Sequence, residues 1–291
     1  MPDLAVGSLS PLGLRQKMGD LMALTIATWN INSVRLRSGL VQKFLKENKP
    51  DILCLQETKC PDDQFPHSDF RKLGYGHIAV SGQKGYHGVA VLSRLPFATQ
   101  SVKQFAGKTD CRHISVELSD KAGPASGLTI HNFYVPAGGD IPDPEANEKF
   151  AHKLTFLDEM CSWGKKEKPA KKKAVLVGDL NVAPLEHDVW SHKQMIDVVS
   201  HTPIECNKLN AAIKSGKWVD AVRTLKPEPE KLFTWWSYRA ADWVASNRGR
   251  RLDHIWVSED LTGSLKETDI HRDARGWERP SDHVPVTITV A

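Results

Sequence analysis

Apolar positions along the chain change their period repeatedly, and each change marks an element. Ala23 to Trp29 (ALTIATW) reads as a strand, and Arg35 to Asn48 sets Leu36, Leu40, Val41, Phe44 and Leu45 at helical spacing before Pro50 closes it. Asp51 to Gln56 carries the unbroken run Ile52, Leu53, Cys54, Leu55, the pattern of a strand covered on both faces. Gly74 to Ser81 and Gly88 to Ser93 read as short strands around a glycine-rich loop, and His113 to Leu118 and Leu128 to Tyr134 as two more. Phe150, Leu154, Leu157 and Cys161 define an amphipathic helix over Glu145 to Trp163, which Gly164 is expected to end. The run KKEKPAKKK, Lys165 to Lys173, reads as a solvated surface loop, with a DNA-facing patch as the alternative. Ala174 to Val177 is a buried strand, and Thr202 to Glu205 a capping box that opens a helix running to about Ser215. Leu252 to Val257 and a last strand through Val284, Val286, Ile288 and Val290 complete the set. Strands alternating with helices in this way define an α/β or α+β layered domain.

Polar residues gather where these strands end. Asp179 and Asn181 follow the run AVLV two apart across a chain reversal, which suits holding a water or a metal beside a phosphate. Asp and Asn after a strand are also ordinary turn formers, so that segment alone leaves both readings open. Asn30 and Asn32 after the first strand carry the same ambiguity. Glu57 is a solvent-facing rim residue or a carboxylate at the mouth of a site. Tyr134 reads as an aromatic cap on the core unless other site residues converge on it. Lys84 and His87, in a loop with three glycines within seven residues, are candidate phosphate contacts or part of a flexible hairpin tip. Asp282-His283 precedes the last strand, and Asp253 begins the one before it. Between Phe233 and Asp253, Trp235, Trp236, Tyr238 and Trp243 are interleaved with Arg239, Arg248, Arg250 and Arg251. Nucleic-acid surfaces use that mixture, because aromatic faces stack on bases while guanidiniums hold phosphates.

Composition narrows the class without deciding it. A chain of 291 residues with 40% hydrophobic content can bury a large core, and a net charge of +4 leaves room for local basic patches. Five scattered cysteines, none in a C-x-x-C pair, argue against a disulfide framework or a zinc cluster and fit a reducing cytosol. Residues 1–22 read as a flexible extension and lack the pattern of a secretory signal, leaving residues 23–291 as a single domain. No apolar run reaches the roughly 18 to 20 residues of a membrane span.

Eight segments in order carry a family resemblance: TWNINSVR from Thr28, LQETK from Leu55, KGYHGVAVLS from Lys84, FYVP from Phe133, VGDLNVAP from Val177, FTWWSYR from Phe233, NRGRRLDHI from Asn247 and PSDHVPV from Pro280. Together the chain resembles the exonuclease III family of apurinic/apyrimidinic endonucleases, from about Ala23 to its last residue. The resemblance implies a four-layer α/β/β/α sandwich of two mixed sheets flanked by helices. It also implies a monomeric, cytoplasmic and nucleoid-associated enzyme dependent on Mg²⁺ or Mn²⁺, with one or two ions bound. Its substrate would be double-stranded DNA, incised 5′ of abasic sites and processed at 3′ ends. By motif, Glu57 is the principal metal ligand, with Asn30, Asn32, Asp179, Asn181, Asp282 and His283 as further candidates. Asp179, helped by Asn181, would activate water, Tyr134 would stabilise charge, and His283 held by Asp253 would bond a phosphoryl oxygen or act as the base instead. Lys84, His87, Trp235, Arg239, Arg248, Arg250 and Leu252 are the expected DNA contacts. Three positions depart from the family pattern: Ala137 where an amide is usual, Arg250 where the residue is usually apolar or aromatic, and Asn32 where some branches carry Asp. The competing readings are a same-core phosphoesterase acting on RNA, inositol or sphingolipid phosphates, and a non-catalytic DNA-binding protein.

Overall fold

The computed structural model describes residues 23–291; the expected extension, residues 1–22, lies outside the described residues. The chain runs β1 (Leu24–Asn30), α1 (Ser38–Asn48), β2 (Ile52–Gln56), α2 (His67–Arg71), β3 (His77–Ser81), β4 (Val89–Ser93), β5 (Phe97–Ser101), β6 (His113–Leu118) and β7 (Thr129–Tyr134). It continues through α3 (Glu148–Glu167), β8 (Ala174–Asp179), α4 (His192–Met195), α5 (Pro203–Gly216), β9 (Trp218–Asp220), α6 (Ala221–Leu225) and β10 (Trp235–Trp236). The last elements are α7 (Trp243–Ser246), β11 (Gly249–Arg250), β12 (Asp253–Ser258), β13 (Leu265–Ile270) and β14 (Val286–Val290).

Two six-stranded mixed sheets form, in the orders β13-β14-β1-β2-β4-β3 and β5-β6-β7-β8-β12-β9, with β10 and β11 as a separate ribbon. Side-chain alternation assigns the layers. Ile52 and Cys54 point into the core between the sheets, against Val175, Val177 and Ile255 of the other sheet. Leu53 and Leu55 point outward against Phe44 of α1 and Phe70 of α2. In the second sheet Leu176 and Trp256 meet Phe156 and Leu157 of α3 and Leu209 of α5. The expected four-layer sandwich is therefore the observed one, and the unbroken apolar run of β2 reflects cover on both faces. Gln56 bridges the sheets, donating to Asn132 Oδ1 at 2.7 Å, while Asn132 donates to the backbone of Leu55 and Ala90.

Strand direction positions the site. Each sheet contains one parallel pair, β1–β2 and β7–β8, so Asn30 and Gln56 end side by side, as do Tyr134 and Asp179. Antiparallel partners begin where these pairs end: β12 opens with Asp253 opposite Asp179, and the segment leading into β14 holds Asp282 and His283. Gly178 permits the close approach of β7 and β8, since a Cβ there would sit 1.9 Å from the Phe133 carbonyl oxygen.

Several local expectations change. The helix α3 runs through Gly164 to Glu167 and is capped by Lys168 in a left-handed conformation. Gly164 instead allows α5 to pack closely, because a Cβ there would come within 2.9 Å of the Gly216 nitrogen. Lys165 and Lys166 thus belong to the last helical turn, and the run ends where β8 begins, the end of the sheet remote from Asp179. The helix α1 starts at Ser38, since residues 35–37 form a turn. Among the described residues, no helix is long and apolar enough to cross a membrane.

Candidate active site

Asn30, at the end of β1, joins the two sheets: its Nδ2 donates to Glu57 Oε1 at 2.9 Å and to Asp179 Oδ2 at 2.8 Å. Asp179 is fully buried and lies between Tyr134 and Asp253 in strand register. The turn-forming reading of Asp179–Asn181 is observed, since Oδ1 accepts from the Asn181 backbone N–H at 3.0 Å, and the other oxygen, Oδ2, accepts from Asn30 Nδ2. The Asn181 side chain donates to Asp179 Oδ2 and to the Val135 carbonyl. His283 Nδ1 donates to Asp253 Oδ2 at 2.8 Å, and its Nε2 stands 3.7 Å from Asp179 Oδ2. Thr234 orients Asp253 by donating to the same oxygen. Ser281 and Trp29 fix the His283 segment, through Ser281 Oγ to the Asn30 carbonyl and Trp29 Nε1 to the His283 carbonyl. Asp282 accepts from Trp235 Nε1 and Asn32 Nδ2.

Non-glycine residues with positive φ cluster here: Asn32 (47°), Ser33 (88°), Glu57 (50°), Lys59 (49°), His87 (56°) and Asn181 (52°). Such conformations cost energy and persist where surrounding structure over-determines them, typically at sites that must hold side chains to a fixed geometry.

Electrostatics divides the groups into roles. Burial favours the neutral form of Glu57, but Lys59 at 2.8 Å and the Asn30 amide outweigh it and hold the carboxyl below its usual range. Burial raises Asp179 to about 7; His283 opposes this, while Asp253 and Glu57 add to it. Burial alone would strip His283 of its proton, yet Asp253 and Asp179 raise it to about 10. Burial, Glu57 and Asp179 keep the Tyr134 hydroxyl protonated far above its ordinary value. Among the described residues, the basic side chains within ion-pair distance of the carboxyl groups of Glu57, Asp179, Asp253 and Asp282 are Lys59 and His283.

That deficit of positive charge, with hard oxygen donors around it, fits a divalent cation. Glu57, Asn30 and Asp179 are the residues that fit best. His283 stands beside these groups, with Nε2 3.7 Å from Asp179 Oδ2. Ligand atoms of Asp179, Asp253 and His283 all lie within 4.8 Å of one another, close enough to hold an ion together, and His283 Nδ1 is also bonded to Asp253 Oδ2 at 2.8 Å. The two asparagine oxygens are both engaged, Asn30 Oδ1 by the Asn32 backbone N–H at 3.0 Å and Asn32 Oδ1 by Lys59 Nζ at 2.6 Å, while Asn32 Nδ2 donates to Asp282.

A cavity of about 760 Å³ opens in front of this constellation, lined by Glu57, Asn181, Asp282 and His283 on one side and Trp235, Arg239, Arg248, Arg250 and Leu252 on the other. Tyr134 and His87 line an adjoining cavity of about 480 Å³ that shares Ala137 and Gly139 with the first. Lys84 sits exposed in its loop outside both cavities. Arg250 lies over Trp235 at 4.9 Å and donates to the Val199 carbonyl and Ser200 Oγ. Arg251, read among the nucleic-acid arginines, is completely buried and pairs with Asp188 and Asp220, so it belongs to the core. Sequence reasoning missed the Trp190 and Val198–Ser200 wall, Arg112 over the Tyr134 ring at 4.8 Å, and Thr234. Among these only Thr234 had a signal, inside the FTWW segment.

An oxygen-rich pocket spanning two sheets, with an oriented imidazolium beside an ionisable carboxylate, is a phosphoester-hydrolysing arrangement. Residues 27–283 match the model of the Endonuclease/Exonuclease/phosphatase family, and the chain belongs to that family. It is 30% identical to the exodeoxyribonuclease III of Haemophilus influenzae over 276 residues, which cover 89% of this chain and 97% of that one. Among solved structures it is similar to an AP endonuclease from Archaeoglobus fulgidus (34% identity, TM-score 0.82, covering 92% of this chain and 99% of that chain). It is equally close in fold to a 3′ phosphatase from Neisseria bound to product DNA hairpin (31% identity, TM-score 0.82, the same coverages). Within the family the chain is a member of the exonuclease III group of AP endonucleases, and it is a hydrolase.

Proposed function

We propose that this chain is a Mg²⁺-dependent nuclease, with Mn²⁺ able to substitute, that cleaves double-stranded DNA 5′ of abasic sites and processes 3′ ends. It works as a monomer on nucleoid DNA in the cytoplasm. The observation that carries the reading is the meeting of Glu57, Asn181, Asp282 and His283 with the Trp235, Arg248, Arg250 and Leu252 wall around one cavity. A phosphodiester at the acidic side would set its sugar against the Trp–Arg wall, where a nucleotide without a base is extruded at lower cost than a paired one.

Residue roles follow from proton positions. Asp179 titrates near neutrality and is the group able to accept the proton of an attacking water, with Asn181 beside it to hold that water. His283 keeps its proton, so it serves as a donor to a phosphoryl oxygen, and Asp253 fixes the ring by its bond to Nδ1. The Tyr134 hydroxyl likewise remains a donor toward the same group. Glu57, Asn30 and Asp179 would hold a divalent cation, which when bound would neutralise charge developing on the phosphate and leaving oxygen.

The test is cleavage of one duplex carrying a single abasic analogue. EDTA is expected to abolish incision and added Mg²⁺ to restore it. Glu57→Ala is expected to cost at least about 100-fold in kcat, the scale of losing one group that stabilises developing charge. Cleavage that survives EDTA would sink the reading.

A further inference from the structure

Lys153 and Glu205 are both fully excluded from solvent, on α3 and α5, and form an ion pair. Two buried charges are expensive, and an apolar pair of similar volume commonly holds two helices together equally well. The α3–α5 interface already has Phe156, Leu157, Leu209 and Ala212 for that purpose. The other contacts of the pair show a second task. Lys153 Nζ donates to the Asn181 carbonyl at 2.7 Å and the Ala137 carbonyl at 3.2 Å. Glu205 accepts the Ser200 backbone N–H at 3.0 Å, and both the N–H and the hydroxyl of Thr202. Ser200 in turn accepts from Arg250 through its hydroxyl and from the Ala183 N–H through its carbonyl. Ala137, Asn181, Val199 and Ser200 all line the main cavity, so its walls converge on two side chains behind them. These are loop segments, and two of their non-glycine positions, Asn181 (φ 52°) and Ser200 (φ 87°), hold positive-φ conformations that need restraint from outside.

We propose that Lys153 and Glu205 are positioning residues for hydrolysis: the buried pair holds the Ala137 loop, the Asn181 loop and the Val199–Ser200 wall in one register, acting through Asn181 without touching substrate. This rests on the nuclease reading above. An ammonium group suits the task because its three N–H donors radiate from one point toward two carbonyls and a carboxylate.

The test uses the full chain on the abasic duplex with Mg²⁺. The double substitution Lys153→Met with Glu205→Gln removes both charges and keeps the Thr202 cap, since glutamine also closes that box. A Tm near that of the parent is expected, with kcat lowered about 100-fold, the cost of a small misplacement, and KM little changed. In an Asn181→Ala background the same pair of substitutions is expected to cost far less, because groups acting through one another are not additive. Unchanged kcat, or an equal loss in both backgrounds, overturns the proposal. Should the double variant fail to fold, Glu205→Gln alone is read by the same kcat-against-KM comparison in both backgrounds. Parent protein that does not cleave overturns the nuclease reading instead, so the two failures are distinct.

Discussion

Asp179 and Asp188 are both buried carboxylates of the same domain, yet their surroundings treat them in opposite ways. Arg251 donates to both oxygens of Asp188, at 2.8 and 2.9 Å, and Arg223 bonds it as well. Burial is outweighed by the two guanidiniums, and the Asp188 carboxyl stays below its usual range. Asp179 has no guanidinium. Its neighbours are two amides, an imidazolium at 3.7 Å and further carboxylates, so burial raises it to about 7. A carboxylate whose acceptors are saturated by cations fixes structure. One that is only partly satisfied keeps an affinity for a proton, a water or a cation, which is what chemistry requires.

Substitution gives the sharpest contrast. Asp179→Asn is expected to lower kcat by about 1000-fold, the range of losing a general base, with no loss in the urea midpoint. Asp188→Ala is expected to lose about 3–5 kcal/mol of stability, because Arg251 and Arg223 are left short of a counter-charge in the interior. Urea unfolding and single-turnover cleavage, measured on both variants, check the pair. Similar stability losses at the two positions would erase the distinction.

Proton linkage gives a finer test in metal-free protein. Asp188 has a folded pKa below its unfolded one, so its contribution is present above the unfolded carboxylate pKa and is lost as pH falls through the folded value. Asp179 is raised, so its contribution is present below the unfolded pKa and is lost as pH rises toward about 7. Asp179→Asn is therefore expected to flatten the decline in urea midpoint between pH about 4 and 7. A pH profile identical to that of the parent would contradict the assignment. Bound cation lowers the Asp179 pKa, so the acid limb of the rate profile is expected below neutrality.

The smallest effects concern the cavity wall. Arg250→Leu and Ala137→Asn are expected to shift the ratio of abasic-site incision to 3′ exonuclease action by roughly five- to tenfold, the scale of one hydrogen-bonded contact. Assays on abasic and recessed 3′ substrates read that ratio directly. No shift with either variant would show that the wall does not set the balance.

Much of this was legible in the chain. Strands buried on both faces, such as β2 and β8, announce themselves as unbroken apolar runs, and the residues just after them became the site. Edge strands did not. In β5 four of five residues are exposed, and β13 (LKETDI) presents mostly polar side chains, so neither carries a period-2 signal. Arg251 misled because a guanidinium beside tryptophans looks the same whether it faces DNA or a buried aspartate far away in sequence. Gly164 misled because glycine both ends helices and lets them approach. Lys153 was invisible: on its own helix it reads as solvated, and only the docking of α5 closes it off.

The pairing of Gln56 with Asn132 across the interior has a further bearing on activity. Each sheet brings only part of the reactive set, so sliding one layer over the other would scatter the groups while every strand ladder stayed intact. These two amides, locked to each other behind the pocket, act as a dowel between the halves, and loosening them would blur the aim of the site before it softened the molecule.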